Sequence, residues 1–383
     1  MRALAQQRPV TADTATPVLG GAANAKTLAV FRYLRSLKGR PEVIWGVTDR
    51  HDVPSAGSYS GAYDAFHTQT GRVPAAYTLE YHDPAWTTGF TGANGWQANL
   101  TAEVQRAFGL GTRIFVINAH MGNPVTGALS RNGQTGAVSS ATGYSQDCNS
   151  APLAAIKTGG AQEAQFLTWM DSFYTFCNGP TFSYGGFQWP VIVRLFHENS
   201  GVSFWWGVGD NTGDHTFTNY VDVWQKMVNY FKTTKSATNM LFMWHADTYS
   251  LPLTSNWGSI YPGDSYVDIV SYSRYDDGGT ANIDDSEGLM DIGYASLRAV
   301  APSKIYAIGE CGFVGDNTGS LWDQRVCQPM VQQYQDVSFF TTWRNEPGVF
   351  KWGPGGDDSA ARKASAAAAV LNPNVITAER CPL

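Results

Sequence analysis

Eight short runs rich in Val, Ile and aromatic residues recur along the chain, each closed at its C-terminal side by polar or charged residues. In order they are VIWGVTD (43–49), AAYTLEYHDP (75–84), RIFVINAHMGNP (113–124), PVIVRLFHEN (190–199), NMLFMWHADT (239–248), YVDIVSYSRYD (266–276), KIYAIGECGF (304–313) and VSFFTTWRNE (337–346). Between them lie stretches with helical patterning. Leu100, Val104 and Phe108 repeat at helical spacing within 96–108, as do Phe166, Met170 and Phe173 within 161–176. Further helical stretches fall near 57–71, 220–231, 286–299, 323–336 and 358–370. Apolar strands alternating with helices are the signature of parallel βαβ units. Eight such units in 383 residues predict an α/β fold, a single-domain (β/α)8 TIM barrel. A doubly wound open sheet is disfavoured, because no glycine-rich phosphate loop follows the first strand. The expected layout is an N-terminal tail over 1–22 and the barrel over 23–383. The Gly/Ser/Thr-rich stretch 125–160 reads as an insertion over the barrel mouth.

Charge and cysteine content limit the partners. The chain carries 26 Lys and Arg against 32 Asp and Glu, a net charge of −6, so it offers no basic surface for phosphates. Nucleic acid is not an expected partner. No apolar run reaches the roughly 18 residues of a membrane span, and residues 1–17 lack the apolar core of a signal peptide. The expectation is therefore a chain with no membrane partner, from which any export signal has gone. Five cysteines, at 148, 177, 311, 327 and 381, show no zinc-ligand spacing. Two disulfides are expected, Cys148 with Cys177 and Cys327 with Cys381, the second tying down the C-terminal tail, with Cys311 a buried thiol.

A barrel enzyme places its chemistry at the C-terminal ends of its strands. Those ends present Asp49, His51, Glu80, His82, His120, His197, Glu198, His245, Asp247, Tyr272, Tyr275, Glu310, Trp343 and Arg344. Glu198 and Glu310 stand out. Each closes a strongly apolar run, the fourth and the seventh, where burying a charge without purpose is expensive. Two carboxylates about 5–5.5 Å apart would suit glycoside hydrolysis with retention, one attacking the anomeric carbon while the other protonates the leaving oxygen. The plain alternative for either is a buried ion pair with Arg194 or Arg274. His120, His197 and His245 could form a metal site, but no HxH or HExxH pairing supports one, and no metal or cofactor is expected. His120 and His197 could instead bond sugar hydroxyls, and His245 could be structural. No GxSxG elbow is present for serine chemistry. The chain is 13% aromatic, with 13 Trp. Most should pack the interior, while Trp343, and Trp205 or Trp206, are candidates to stack on sugar rings.

Several of these segments resemble glycoside hydrolase family 26, a β-mannanase family of retaining barrels. RLFHENSGVSFWWG (194–207) is similar to its acid/base motif, AHMGNPVTG (119–127) to its His-Met-x-Asn-Pro segment, and IGECGF (308–313) to its nucleophile strand. YPGDSYVDIVSYSRYD (261–276) resembles its Tyr-Pro-Gly-Asp segment, and TTWRNEPG (341–348) its Trp-Arg segment. The resemblance implies Glu198 as acid/base, Glu310 as nucleophile and Tyr275 as the group that orients it. It implies His120, His197, Trp205, Trp206, Trp343 and Arg344 as sugar-binding residues. It also implies a secreted, monomeric endo-acting hydrolase of β-mannan, with 1,3-β-xylan and mixed-linkage glucan as alternative substrates. Ser203, Ser273 and Cys311 depart from the family pattern, which usually has Trp, Asp and Phe there.

Overall fold

The computed structural model describes residues 14–49, 61–81, 96–119, 121–126, 150–201, 204–209, 211, 213–248, 256–276, 289–313, 326–343 and 360–383. All eight apolar runs form strands: β1 (Val43–Asp49), β2 (Ala76–Tyr81), β3 (Ile114–Ala119), β4 (Val191–Arg194), β5 (Met240–Asp247), β6 (Ile269–Asp276), β7 (Ile305–Phe313) and β8 (Val337–Trp343). Each pairs in parallel with the next, and β8 pairs with β1 to close the barrel. Closure removes both sheet edges. The main helices are α1 (Ala25–Leu37), α2 (Gly61–Thr70), α3 (Trp96–Leu110), α4 (Glu163–Asn178), α5 (Phe217–Asn229), α6 (Leu289–Val300), α7 (Gln328–Gln332) and α8 (Ala360–Ala369), with further short helices at Pro152–Ile156 and Trp257–Ile260.

Strand alternation sorts the apolar side chains into two clusters. Outward-facing residues such as Val43, Trp45, Phe242 and Trp244 pack with the helices. Inward-facing Ile44, Ala76, Ile114, Ile192, Leu241, Ile269, Ile305 and Phe339 fill the barrel at its N-terminal end, where Val30, Phe31, Leu34 and Leu37 of α1 cover them. Helix α1 thus plugs the bottom, each buried aliphatic side chain contributing about 1.5–3 kcal/mol. Its start is fixed by Asn24, whose side chain accepts from the Thr27 N–H at 2.8 Å. Ahead of it, Val18 and Leu19 are already buried, and the Val18 N–H donates to Asp268 at 2.7 Å. With the bottom filled by hydrocarbon, polar chemistry is confined to the opposite mouth.

Two expectations need correction here. The fourth run is a strand only through Arg194, and residues 195–200 leave it as a turn. Neither expected disulfide forms, since Cys177, Cys311, Cys327 and Cys381 are all thiols. Cys327 packs in the outer cluster, whereas Cys381 lies with Tyr33 against the inner one, so the two sulfurs are held in different parts of the core. The tail is secured by hydrogen bonds instead. Val375–Ile376 pairs with β1, and the Ala378 N–H donates to the Val73 carbonyl at 2.8 Å. Cys177 is fully buried on α4, and Cys148 lies outside the described residues. Cys311 is buried, as expected.

Candidate active site

Glu310 reaches the mouth through an irregularity in β7. The register runs Tyr272 with Ile308 and then Ser273 with Glu310, leaving Gly309 as an extra residue, and β8 shows a matching shift. A bulge of this kind turns the following side chain away from the plain alternation. Only glycine fits there, because a Cβ at Gly309 would lie 2.7 Å from Cε1 and 2.8 Å from Nδ1 of His245. Both carboxylate oxygens of Glu310 are engaged. Arg194 meets Oε1 at 2.6 Å, and the Tyr275 hydroxyl donates to Oε2 at 2.7 Å. The ion pair offered as the plain alternative therefore exists, and it sits inside the mouth, where it aims the carboxylate. Burial pushes the Glu310 carboxyl up from its ordinary range, while Arg194 and Tyr275 oppose that push.

Glu198 lies on the turn after β4, with φ of +52°, and Phe196 has φ of +55°. For side chains of this size the left-handed region is uncommon and costs about 1–3 kcal/mol per residue, so the surroundings must hold it. They do so through backbone bonds from Asn199 N to His245 O at 3.1 Å and from Gly201 N to Glu198 O at 3.0 Å. Ser200 adds a strap: its hydroxyl donates to the Asp247 carbonyl and accepts from the Asp247 N–H. Part of Glu198 stays open at the mouth, yet the protein around its carboxyl strips away most of the water. Desolvation, and then the charges of Asp247 and Glu310, hold its pKa well above the ordinary carboxylate range. Of the two, Glu310 has Arg194 and ionises first, and Glu198 keeps the proton.

The other candidates fall into four groups. Trp343 closes β8 half-buried, its ring centroid 5.8 Å from that of Tyr275. Glu80 is buried at the end of β2 and opposes the ionisation of Glu310. Asp49 serves the fold: it accepts from the N–H groups of Ala62 and Tyr63 at the start of α2 and from the Tyr77 hydroxyl. Tyr272 turns outward into the helix layer. Trp205 and Trp206 are corrections. Both are fully buried, their indole N–H groups donating to the Met121 and His197 carbonyls at 2.7 Å, so neither has a face to offer a sugar. They pack beneath the site, and the half-buried ring above them is Phe204, stacked on Trp206 at 4.6 Å. His197 is buried against Phe204 and Trp206. His51, His82, His120 and Arg344 lie outside the described residues.

Arg194 was underrated by sequence reasoning; a cation interrupting VIVRLF was the available signal. His245 is buried with its pKa well below the ordinary value, through desolvation and the neighbouring Arg194, so it is neutral. Among the described residues no group of three or more His, Cys, Asp or Glu is arranged to hold a metal ion, and no helix is long and apolar enough to cross a membrane.

The family model described as glycosyl hydrolase family 26 matches residues 20–349. A mannan endo-1,4-β-mannosidase from Bifidobacterium adolescentis is 25% identical over 366 residues, covering 88% of this chain and 32% of that protein. The mannan endo-1,4-β-mannosidase A and B of Caldalkalibacillus mannanilyticus is 31% identical over 166 residues, covering 43% of this chain and 29% of that protein. The chain thus spans about a third of the length of these relatives. Among solved structures, the catalytic domain of an endo-β-1,4-mannanase from Bacillus sp. JAMB-750 superposes with a TM-score of 0.74 at 20% identity, over 96% of this chain and 95% of that one.

Proposed function

The chain belongs to glycosyl hydrolase family 26, and from that premise we propose that it is a retaining endo-acting β-1,4-mannanase. The observation that carries this reading is the unequal pair at the barrel mouth. Glu310 is bound through both oxygens by Arg194 and Tyr275, and Glu198 is held protonated beside it. A carboxylate fixed at both oxygens is poised as a nucleophile, and a carboxylic acid with a raised pKa is poised as a general acid. Glu310 attacks the anomeric carbon while Glu198 gives its proton to the departing oxygen. Glu198, now anionic, then takes a proton from the water that releases the sugar from Glu310. Tyr275 keeps its proton, being held well above the ordinary phenol range, and so remains a donor to Glu310 throughout.

Trp343 supplies a stacking ring, and His120 and Arg344 are assigned to sugar hydroxyls by their match to the family motifs. Both steps are displacement and proton transfer, so the reaction calls for no cofactor. The substrate named for the relatives is mannan, and we assign β-mannan to this chain on that basis. A polymer of that size is met outside the cell, so we also assign the chain an extracellular, monomeric mode of action.

The direct test is Glu310→Ala. Hydrolysis of mannan should fall at least about a thousandfold with the fold intact. Azide should restore cleavage of an activated aryl mannoside by entering the space left by the carboxylate. Retained mannan hydrolysis would remove Glu310 from the nucleophile role.

A further inference from the structure

Arg194 holds Glu310, and three neighbouring strands hold Arg194. Its Nη2 meets Glu310 Oε1 at 2.6 Å, while its Nη1 lies 2.9 Å from the Gly309 carbonyl and 3.1 Å from His245 Nδ1. Each hydrogen of Nη1 therefore has one acceptor. A guanidinium only donates, so Nδ1 meets it with a lone pair. The ring then carries its proton on Nε2, which donates to Ser273 Oγ at 2.9 Å. Arg194, His245 and Ser273 stand on β4, β5 and β6, and all three are buried. Gly309 on β7 contributes twice. Its carbonyl accepts from Arg194 and from the Thr341 hydroxyl, and its missing Cβ is what admits the imidazole, since a Cβ there would lie 2.8 Å from Nδ1. A protonated ring would set N–H against N–H and cation against cation. Burial and the charge of Arg194 keep the ring neutral.

We propose that His245 is a positioning residue for the nucleophile: its Nδ1 lone pair and the Gly309 carbonyl clamp Nη1 of Arg194 so that Nη2 stays on Glu310, and Ser273 fixes the tautomer the clamp needs. This rests on the reading of Glu310 as nucleophile. The clamp asks for an acceptor at the place of Nδ1, whereas a histidine that merely filled space would ask only for volume. Glu310 is faced by Arg194 from β4, Tyr275 from β6, Glu80 from β2, Glu198 from the turn after β4 and the Cys311 thiol from its own strand. His245 is faced by Arg194 and Ser273, with the His197 ring centroid 6.3 Å from its own. Arg194 is the cation of this set and favours the Glu310 anion, so loosening it makes Glu310 take up a proton at higher pH.

The test compares His245→Gln with His245→Asn on a dinitrophenyl mannobioside, whose leaving group needs no proton, so that the rate reports on the nucleophile. The Asn amide oxygen falls close to the place of Nδ1, whereas Gln carries its polar end out toward the place of Nε2. His245→Gln should lose about tenfold or more in kcat/KM, and the acidic limb of its pH profile should move up by about 0.5–1 unit. His245→Asn should recover most of that loss and bring the limb back. Ser273→Ala, in which the ring can take the other tautomer, should show a smaller loss with the limb moved the same way. Equal losses in the Gln and Asn variants with an unmoved limb, or a Gln variant matching the parent, would overturn the clamp. Circular dichroism checks that each variant is folded. Should His245→Gln not fold, an unmoved acidic limb in Ser273→Ala would overturn the clamp in its place. Glu310→Ala, run alongside, should lose the aryl substrate. Retained cleavage in that variant would instead bring down the nucleophile assignment itself.

Discussion

Glu198 and Glu310 are the same residue type made unequal by what surrounds them. Carboxylates about 5 Å apart, the spacing of retaining enzymes, repel by about 3 kcal/mol at an effective dielectric of 20, enough to separate their titrations by roughly two units. Which one ionises first is decided by Arg194 and Tyr275, both on Glu310. The two carboxylates themselves were legible in the sequence, because a charge closing an apolar strand marks an expense. The smaller polar residues around them were harder to read. Ser273 is a small hydroxyl whose partner is settled only when β5 and β6 are side by side. Trp205 and Trp206 show the limit on the aromatic side: a Trp next to a site is as able to pack beneath it as to face it, and spacing after Glu198 does not separate the two. Trp343 is the one indole of the three that is not fully buried. Trp343→Ala should raise KM for mannohexaose about five- to tenfold, the worth of roughly 1–1.5 kcal/mol of ring stacking, with kcat changed less. An unchanged KM would remove Trp343 from the sugar platform.

At the level of elements, the site depends on two departures from regular structure. One is the turn that takes over from β4 at Leu195 and carries Glu198 in a left-handed conformation. The other is the extra residue at Gly309 in β7, which swings Glu310 toward Arg194. The periodicity of apolar residues located every barrel strand, since burial on both faces imposes near-continuous apolar runs. It located neither departure, because a bulge and a turn are set by neighbouring strands. Gly309→Ala tests the bulge. The added methyl would stand 2.7 Å from the His245 ring, and backbone and imidazole cannot both stay in place. Hydrolysis of mannan should fall more than tenfold while far-UV circular dichroism stays that of the parent enzyme. Wild-type turnover by Gly309→Ala would show that Glu310 is not aimed by this contact.

Across the whole molecule the division of labour is by end. The N-terminal opening is closed with hydrocarbon from α1, and the C-terminal mouth holds the ionisable groups, so the reacting pair stands on strand ends that the closed barrel keeps rigid. The low charge, 15% of residues, follows from eight strands buried on both faces. Disulfides were the whole-molecule feature the sequence misjudged. The need to tie down the C-terminal tail suggested pairing Cys327 with Cys381, whereas the fold puts one in the helix layer and the other with Tyr33 at the inner cluster. The central claim is that Glu310 and Glu198 together cleave β-mannan with retention. Proton nuclear magnetic resonance of the first products formed from mannohexaose tests it most directly. The account predicts that the new reducing end appears as the β-anomer and only later equilibrates to α. An α-anomer appearing first would mean direct attack by water, and would contradict the covalent role of Glu310.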